Sequence, residues 1–165
     1  MQPLDFLQTA EYLWRTGAGE ADWRSSISRS YYALYWMISD QMLKDIPRIL
    51  LQSASLCRKD HIVHERLQLM LRGSGDDKIK SFGEHLNGLR LARIDADYQL
   101  CKLISKARAE REFGNATALR DELHVYGVPK LVKAIWQELE ETYGRQAGGG
   151  RHGQASLPGT SGPVY

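Results

Sequence analysis

The chain has 165 residues and a formal net charge of +2, with 22 lysines and arginines against 20 aspartates and glutamates. A chain of this length can bury one continuous core without disulfides or metals, and its near-balance of charge argues against a strong, sequence-independent polyanion binder. The two cysteines, Cys57 and Cys101, lie in no zinc-ligand or redox spacing, so we predict no disulfide framework, metal site or cofactor.

The sequence has no feature that predicts contact with a membrane. No stretch approaches the roughly 20 apolar residues that a spanning helix needs, and the N-terminal segment has no basic start before an apolar run. We therefore expect a cytoplasmic protein. Residues 145–165 are rich in glycine and poor in large apolar side chains, which predicts a flexible tail behind a folded domain of residues 1–144.

The first two predicted helices differ in how much of their surface is apolar. The first spans about residues 5–16 and ends at Gly17. The second spans about residues 21–45 and is closed by Pro47. Aromatic side chains surround most of this second helix: Trp23, Tyr31, Tyr32, Tyr35 and Trp36. Because one neighbouring helix cannot cover them all, they favour a homodimer, although a bundle of six helices could cover them internally.

Four more helices are predicted from apolar residues that recur every three or four positions. They follow a loop over residues 47–58 that has room for one helical turn, and they span about residues 60–71, 78–98, 105–126 and 128–143. Asp60 and Ser105 are the predicted N-caps of the first and third of these. No stretch alternates with a period of two, so the predicted fold is all-α, an antiparallel bundle of five to six helices with the two longest packed together at its centre.

Two motif-like segments fall on those two longest helices. The earlier helix carries R-x-x-x-S-R-x-Y-Y-A at Arg24, Ser28, Arg29, Tyr31, Tyr32 and Ala33, and the later one carries R-x-x-A-D-Y at Arg93, Ala96, Asp97 and Tyr98. Both segments resemble HEPN domains, and the resemblance covers roughly residues 5–125. It implies a bundle of four or five helices with a functional groove formed between two protomers.

The resemblance also implies partners and a setting. HEPN proteins of this size act in toxin–antitoxin or defence systems, so the implied partners are a second copy of the chain, a nucleotidyltransferase antitoxin, and RNA or a nucleotide. The primary interpretation is a HEPN-like interaction module that has lost catalysis. A purely structural oligomerisation domain is another interpretation.

The spacing of the charged motif residues limits what they can reach. Arg24 and Arg29 are five positions apart, hence about 140° around a helix, so only one of them can face the later motif helix. Arg93 and Asp97 are four apart and can form an ion pair along that helix. If Arg29 also reached Asp97, the fixed guanidinium groups could offer N–H donors to a phosphate. The alternative is that these arginines, with Tyr32 and Tyr98, serve packing alone.

Catalysis is the point at which the chain departs from the family. The resemblance to catalytic HEPN proteins implies a metal-independent endoribonuclease. Such an enzyme uses an arginine and a histidine four to six residues apart. The residues that follow Arg93 at this spacing include Tyr98 but no histidine, so no near-neutral acid or base is supplied there. An active ribonuclease with displaced residues, led by Arg58 and His64 or by Arg93 and Tyr98 in altered roles, is the alternative. His61 and His64 have a spacing that permits metal binding on a helix, but no third ligand is evident.

Overall fold

The computed structural model describes residues 2–59 and 61–148, and side chains only as far as residue 144. Most of this described part is helical, which confirms the all-α prediction. Its elements, in chain order, are α1 Pro3–Thr16, α2 Glu20–Asp45, α3 Arg48–Ser53, β1 Cys57–Arg58, β2 His61–Ile62, α4 His64–Gly73, α5 Asp77–Tyr98, α6 Lys106–Tyr126 and α7 Val128–Gly148.

The long helices begin and end at local signals in the sequence. The Asp76 carboxylate accepts hydrogen bonds from the backbone N–H groups of Lys78 and Ile79 at the start of α5. Ser105 accepts from the Arg108 N–H and is the N-cap of α6, as predicted. Gly127 follows α6 with φ of 91°, a conformation that glycine adopts without steric cost.

The centre of the bundle is α2, which packs against α1, α5, α6 and α7. Its packing against α5 confirms the prediction that the two longest motif-bearing helices lie together. The main core is built around apolar and aromatic side chains of α2, and the largest of these that are fully buried are Tyr31, Leu34, Tyr35, Ile38 and Met42. The position of α2 explains why its apolar residues are not confined to one stripe.

The segment between α2 and α5 differs from the predicted one. The predicted loop contains a separate helix, α3, because Leu50 and Leu51 are both buried. The described residues therefore hold seven helices instead of the five to six predicted. The strands β1 and β2 form a short antiparallel ladder that pairs Cys57 with Ile62 and Arg58 with His61. The following helix consequently starts at residue 64 instead of residue 60.

Two predicted features involve residues at the limits of the description. Asp60, predicted as an N-cap, lies outside the described residues. The last helix runs through Gly144 to Gly148 and not to residue 143, since a single glycine is tolerated inside a helix. Residues 149–165, most of the predicted tail, also lie outside the described residues.

The aromatic side chains of α2 are covered within one chain. Tyr31 and Tyr35 are each 1% exposed, while Tyr32 and Trp36 are half-buried against the main core and Trp23 against a second, smaller one. The helices of a single chain therefore cover these aromatic side chains, as the alternative to a dimer predicted. The homodimer remains a prediction, but the number of aromatic residues on α2 no longer supports it.

Candidate functional site

The two motif segments meet where α2 crosses α5, and Arg24 is the first point of contact. Its guanidinium donates a 2.8 Å hydrogen bond to the carbonyl of Ala96 and further bonds to the carbonyls of Gln99 and Lys102. It also forms a 2.6 Å ion pair with Glu20, one turn earlier. Arg24 therefore caps the C-terminal end of α5, where carbonyl groups lack helical partners and a cation is favoured.

Arg29 points elsewhere. Its side chain is exposed, and its guanidinium lies 5.8 Å from the centre of the Phe6 ring of α1. Among the described contacts it makes none with Asp97, so the structure does not contain the three-membered network that included Arg29. The reason is the rotation of about 140° between the two arginines, which turns Arg29 away when Arg24 faces α5.

Arg93 is held by residues from both motif segments. Its Nε lies 2.6 Å from Oδ2 of Asp97, which confirms the predicted ion pair. Its Nη2 donates to the hydroxyl oxygens of Tyr32 at 2.7 Å and Tyr98 at 3.1 Å. Ser28 donates to the same Asp97 carboxylate at 3.2 Å. We call these five residues the Arg93 cluster.

Tyr98 is placed at the outer edge of this cluster. Its side chain is 66% exposed, so it is not the core aromatic that a packing role would require. The Arg93 guanidinium carbon lies 5.0 Å from the centre of the Tyr98 ring and 5.2 Å from that of Tyr32. Arg93 is thus sandwiched between a half-buried and an exposed tyrosine, both attracted to its charge.

His64, the first residue of α4, reaches the same neighbourhood from the other side. Its Nδ1 lies 2.7 Å from the Tyr31 hydroxyl, and its ring centre is 4.0 Å from that of Tyr35 and 5.8 Å from that of Tyr32. Arg58, its proposed catalytic partner, is an exposed residue of β1 and makes no described contact with His64. The structure thus shows no contact in the Arg58 and His64 pair, and it places His64 against Tyr32, whose hydroxyl accepts a hydrogen bond from Arg93.

The sequence spacing of His61 and His64 would permit both to bind one metal ion if they lay on the same helix. His61 belongs to β2 and His64 to α4, so the two rings do not share a helical face. Among the described residues, no group of three or more His, Cys, Asp or Glu side chains is placed to hold a metal ion.

Burial fixes the protonation of the groups around His64. Desolvation, together with the positive charges of Arg93, His61 and Arg90, lowers the pKa of His64 to about 4. Burial raises the pKa of Tyr31 well above its ordinary value, and likewise raises that of Tyr35 to about 12. At neutral pH the imidazole is therefore uncharged and both tyrosines are protonated.

Arg90 is the residue of this site that sequence reasoning missed. It lies three residues before Arg93, on the same face of α5, and its charge acts on both His64 and Tyr31. Its Nε is buried and has no hydrogen-bond partner among the described residues. The spacing from Arg93 was the available signal, but only the fold brings α4, which begins at His64, against α5.

The surface also has concavities that are not lined by the Arg93 cluster. One of about 510 Å³ beside α7 is lined by Trp136 and Lys133, and one of about 550 Å³ between α5 and α6 is lined by Glu84 and Glu112. Ligand sites need convergent polar groups as well as volume. The Arg93 cluster, with Arg90 and His64, has such convergence and is the candidate site.

Comparison with known proteins gives the chain no family. No family model matches it, and neither the curated proteins nor the solved structures show a significant match. Within the described part, every helix is too short or too polar to cross a membrane. The fold and site together define an all-α helical domain with a cationic site where α2, α4 and α5 meet.

Proposed function

We propose that the protein is a HEPN-like helical interaction module that binds RNA or a nucleotide through Arg93 without cleaving it. The observation that carries the proposal is the contact between the two motif segments at Arg93, whose guanidinium is oriented by Asp97, Tyr32 and Tyr98. An arginine held in one orientation presents its remaining N–H groups to an anion at little entropic cost.

The protonation of neighbouring groups supports binding without cleavage. Metal-independent cleavage through the 2′-OH needs an acid and a base that exchange protons near neutral pH. His64, with a pKa of about 4, is uncharged at neutral pH and is a weak base. Tyr31, with its raised pKa, keeps its proton. Neither His64 nor Tyr31 therefore has a pKa near neutrality, which an acid or base in this cleavage would need.

The resemblance supplies the rest of the proposal. On that basis the module acts in the cytoplasm as a homodimer, in a toxin–antitoxin or defence system, with a nucleotidyltransferase antitoxin as its protein partner. These parts come from the resemblance of the R-x-x-x-S-R-x-Y-Y-A and R-x-x-A-D-Y segments.

An active endoribonuclease is the second candidate, and one observation favours it. His64 and Arg93 both contact Tyr32, although 29 positions separate them in the chain and no family-type spacing joins them. The catalytic pair of such an enzyme would be Arg93 with His64, in place of Arg58 with His64.

Purified protein incubated with labelled single-stranded RNA, without added metal, tests both candidates. We expect binding in an anisotropy titration and intact RNA on a denaturing gel. Arg93→Gln should weaken binding roughly tenfold or more, because a charge-assisted contact is lost. Arg72→Gln removes an exposed charge at the far end of α4 and should bind normally.

Cleavage that disappears in both His64→Ala and Arg93→Ala, but persists in Arg58→Ala, would establish the ribonuclease instead. Circular dichroism of each variant separates loss of the site from loss of the fold. Binding that is unchanged in a folded Arg93→Gln variant would refute the proposed role of Arg93.

A further inference from the structure

The charges at the site do not balance. Arg93 is ion-paired with Asp97, whereas no ion pair of Arg90 is found among the described residues and its buried Nε has no hydrogen-bond partner there. His64 is uncharged and so adds nothing. One positive charge is therefore left uncompensated beside half-buried rings, and a partly buried charge without a partner is costly unless an anion joins it.

The donors of the site are recessed. The Arg93 side chain is only 16% exposed, and the Arg90 Nε is buried. A phosphodiester inside an RNA chain carries a ribose on each side, and these two sugars keep it at the surface. A terminal phosphate has one ester link and three free oxygens, so it can enter a recess and meet two guanidinium groups at once.

Tyr98 offers an exposed aromatic ring against which the base of such a ligand could stack. It is 66% exposed, and the Arg93 guanidinium carbon lies 5.0 Å from its ring centre. The ring therefore keeps most of its surface exposed although Arg93 lies over it. Exposed aromatic faces next to cationic groups are the usual platform on which nucleic-acid bases stack.

We infer that Arg90 and Arg93 together clamp a terminal phosphate, that of a nucleotide or of an RNA end, whose base stacks on Tyr98. The inference rests on the proposed function, because it concerns the same site, and it adds the chemical class of the ligand and the role of Arg90. A phosphomonoester carries close to two negative charges at neutral pH. It would therefore satisfy Arg90 and compete with Asp97 for Arg93.

The bound anion would also act on His64. Charged and titratable groups face the imidazole from three elements: Tyr31, Tyr32 and Tyr35 of α2, His61 of β2, and Arg90 and Arg93 of α5. The anion offsets the two guanidinium charges, so the pKa of His64 should rise on binding. A variant that only loosens the fold would not produce this ligand-dependent shift.

The test compares one short single-stranded RNA in two forms, with a 5′-phosphate and with a 5′-hydroxyl, by anisotropy of a 3′ label. We expect the phosphorylated form to bind roughly tenfold tighter or better, by the strength of charge-assisted bonds to arginine. This preference should disappear in Arg90→Gln and persist in Arg72→Gln. Adenosine monophosphate should compete, and inorganic phosphate should compete more weakly because it cannot stack on Tyr98.

NMR titration of the imidazole signals supplies the second readout, with and without adenosine monophosphate. The signal that is absent from His64→Gln should titrate at higher pH when the nucleotide is bound. Equal binding of the two RNA forms, or Arg90→Gln weakening both forms alike, would overturn the clamp while leaving the proposed RNA binding intact. If neither RNA nor nucleotide binds, the proposed function fails with it; if only the nucleotide binds, the clamp stands and RNA binding is abandoned.

Discussion

At the scale of single residues, the partners that surround a side chain decide its role more than its place in a motif does. Arg24, Arg29 and Arg93 all belong to motif segments, yet the first caps a helix, the second lies exposed over a phenyl ring, and the third is fixed inside a polar cluster. Arg90 belongs to neither motif, yet its Nε is buried without a hydrogen-bond partner among the described residues. Motif membership alone therefore does not tell which arginines belong to the candidate site.

His64 should make the stability of the fold depend on pH. Its pKa is about 4 in the folded protein and near 6.5 when unfolded, so between these values only the unfolded state binds the proton. Unfolding should therefore become easier as pH falls from about 6.5 toward 4. The loss is at most about 3 kcal/mol, and smaller in practice because the ring is only half-buried.

Urea unfolding followed by circular dichroism across this pH range measures the effect. His64→Gln should flatten the dependence, while His124→Gln, which changes an exposed histidine of α6, should not. If wild type and His64→Gln lose stability equally over this range, His64 is not the group responsible.

At the scale of elements, the crossing of α4 and α5 sets the position of His64 relative to Arg93. Gly83 permits this crossing, since a Cβ there would lie 2.6 Å from the backbone N of Arg72 and 2.8 Å from Cβ of Leu71. Both distances are too short for any side chain. The glycine thus brings α4, and with it His64, against the helix that carries Arg90 and Arg93.

Gly83→Ala should destabilise the protein, because α4 must move away from α5 to make room. Overpacking of this kind costs about 1–3 kcal/mol. Gly88→Ala is the matched control on the same helix, where a Cβ would meet nothing within 4 Å. That substitution should stabilise the helix by up to about 1 kcal/mol, because alanine is the better helix former.

Urea unfolding of the two variants and wild type decides the question. A Gly83→Ala variant as stable as Gly88→Ala would mean that the crossing tolerates a methyl group, and the packing explanation would be wrong. Binding of RNA by a folded Gly83→Ala variant should also weaken, since the displaced α4 carries His64.

At the scale of the whole molecule, a homodimer is still expected, and exposed apolar surface near the site supports it. Large apolar side chains lie 50–87% exposed in and just after the second half of α5: Leu91, Leu100 and Leu103. Burying such side chains between two copies stabilises association by roughly 25 cal/mol per Å² of apolar surface. The cationic site would then lie near the dimer interface.

Light scattering at tens of micromolar should give about twice the chain mass of 18.7 kDa. Leu100→Asp combined with Leu103→Asp should give the monomer mass, because the charges cannot be buried without partners. Val125→Asp changes a residue of α6 that is equally exposed, at 87%, and should remain dimeric. A wild-type monomer at this concentration would remove the homodimer and the shared groove implied by the resemblance.

Features that depend on neighbours in the chain were predictable from the sequence alone. Periodicity determined the all-α class and the course of α2 and α5, and Ser105 marked the start of α6. The ion pair of Arg93 with Asp97 was predictable for the same reason, because it forms along one helix turn. Each of these needs information from only a few adjacent residues.

Only the tertiary structure decided which of these residues form one site. Tyr32 and Arg93 are 61 positions apart, and Tyr31 and His64 are 33 apart. Their contacts depend on how far each helix is rotated about its axis and on the close crossing at Gly83, which side-chain packing determines and helical periodicity does not. Local pattern therefore determined the helices, and packing between them determined that Arg93 and His64 both contact Tyr32.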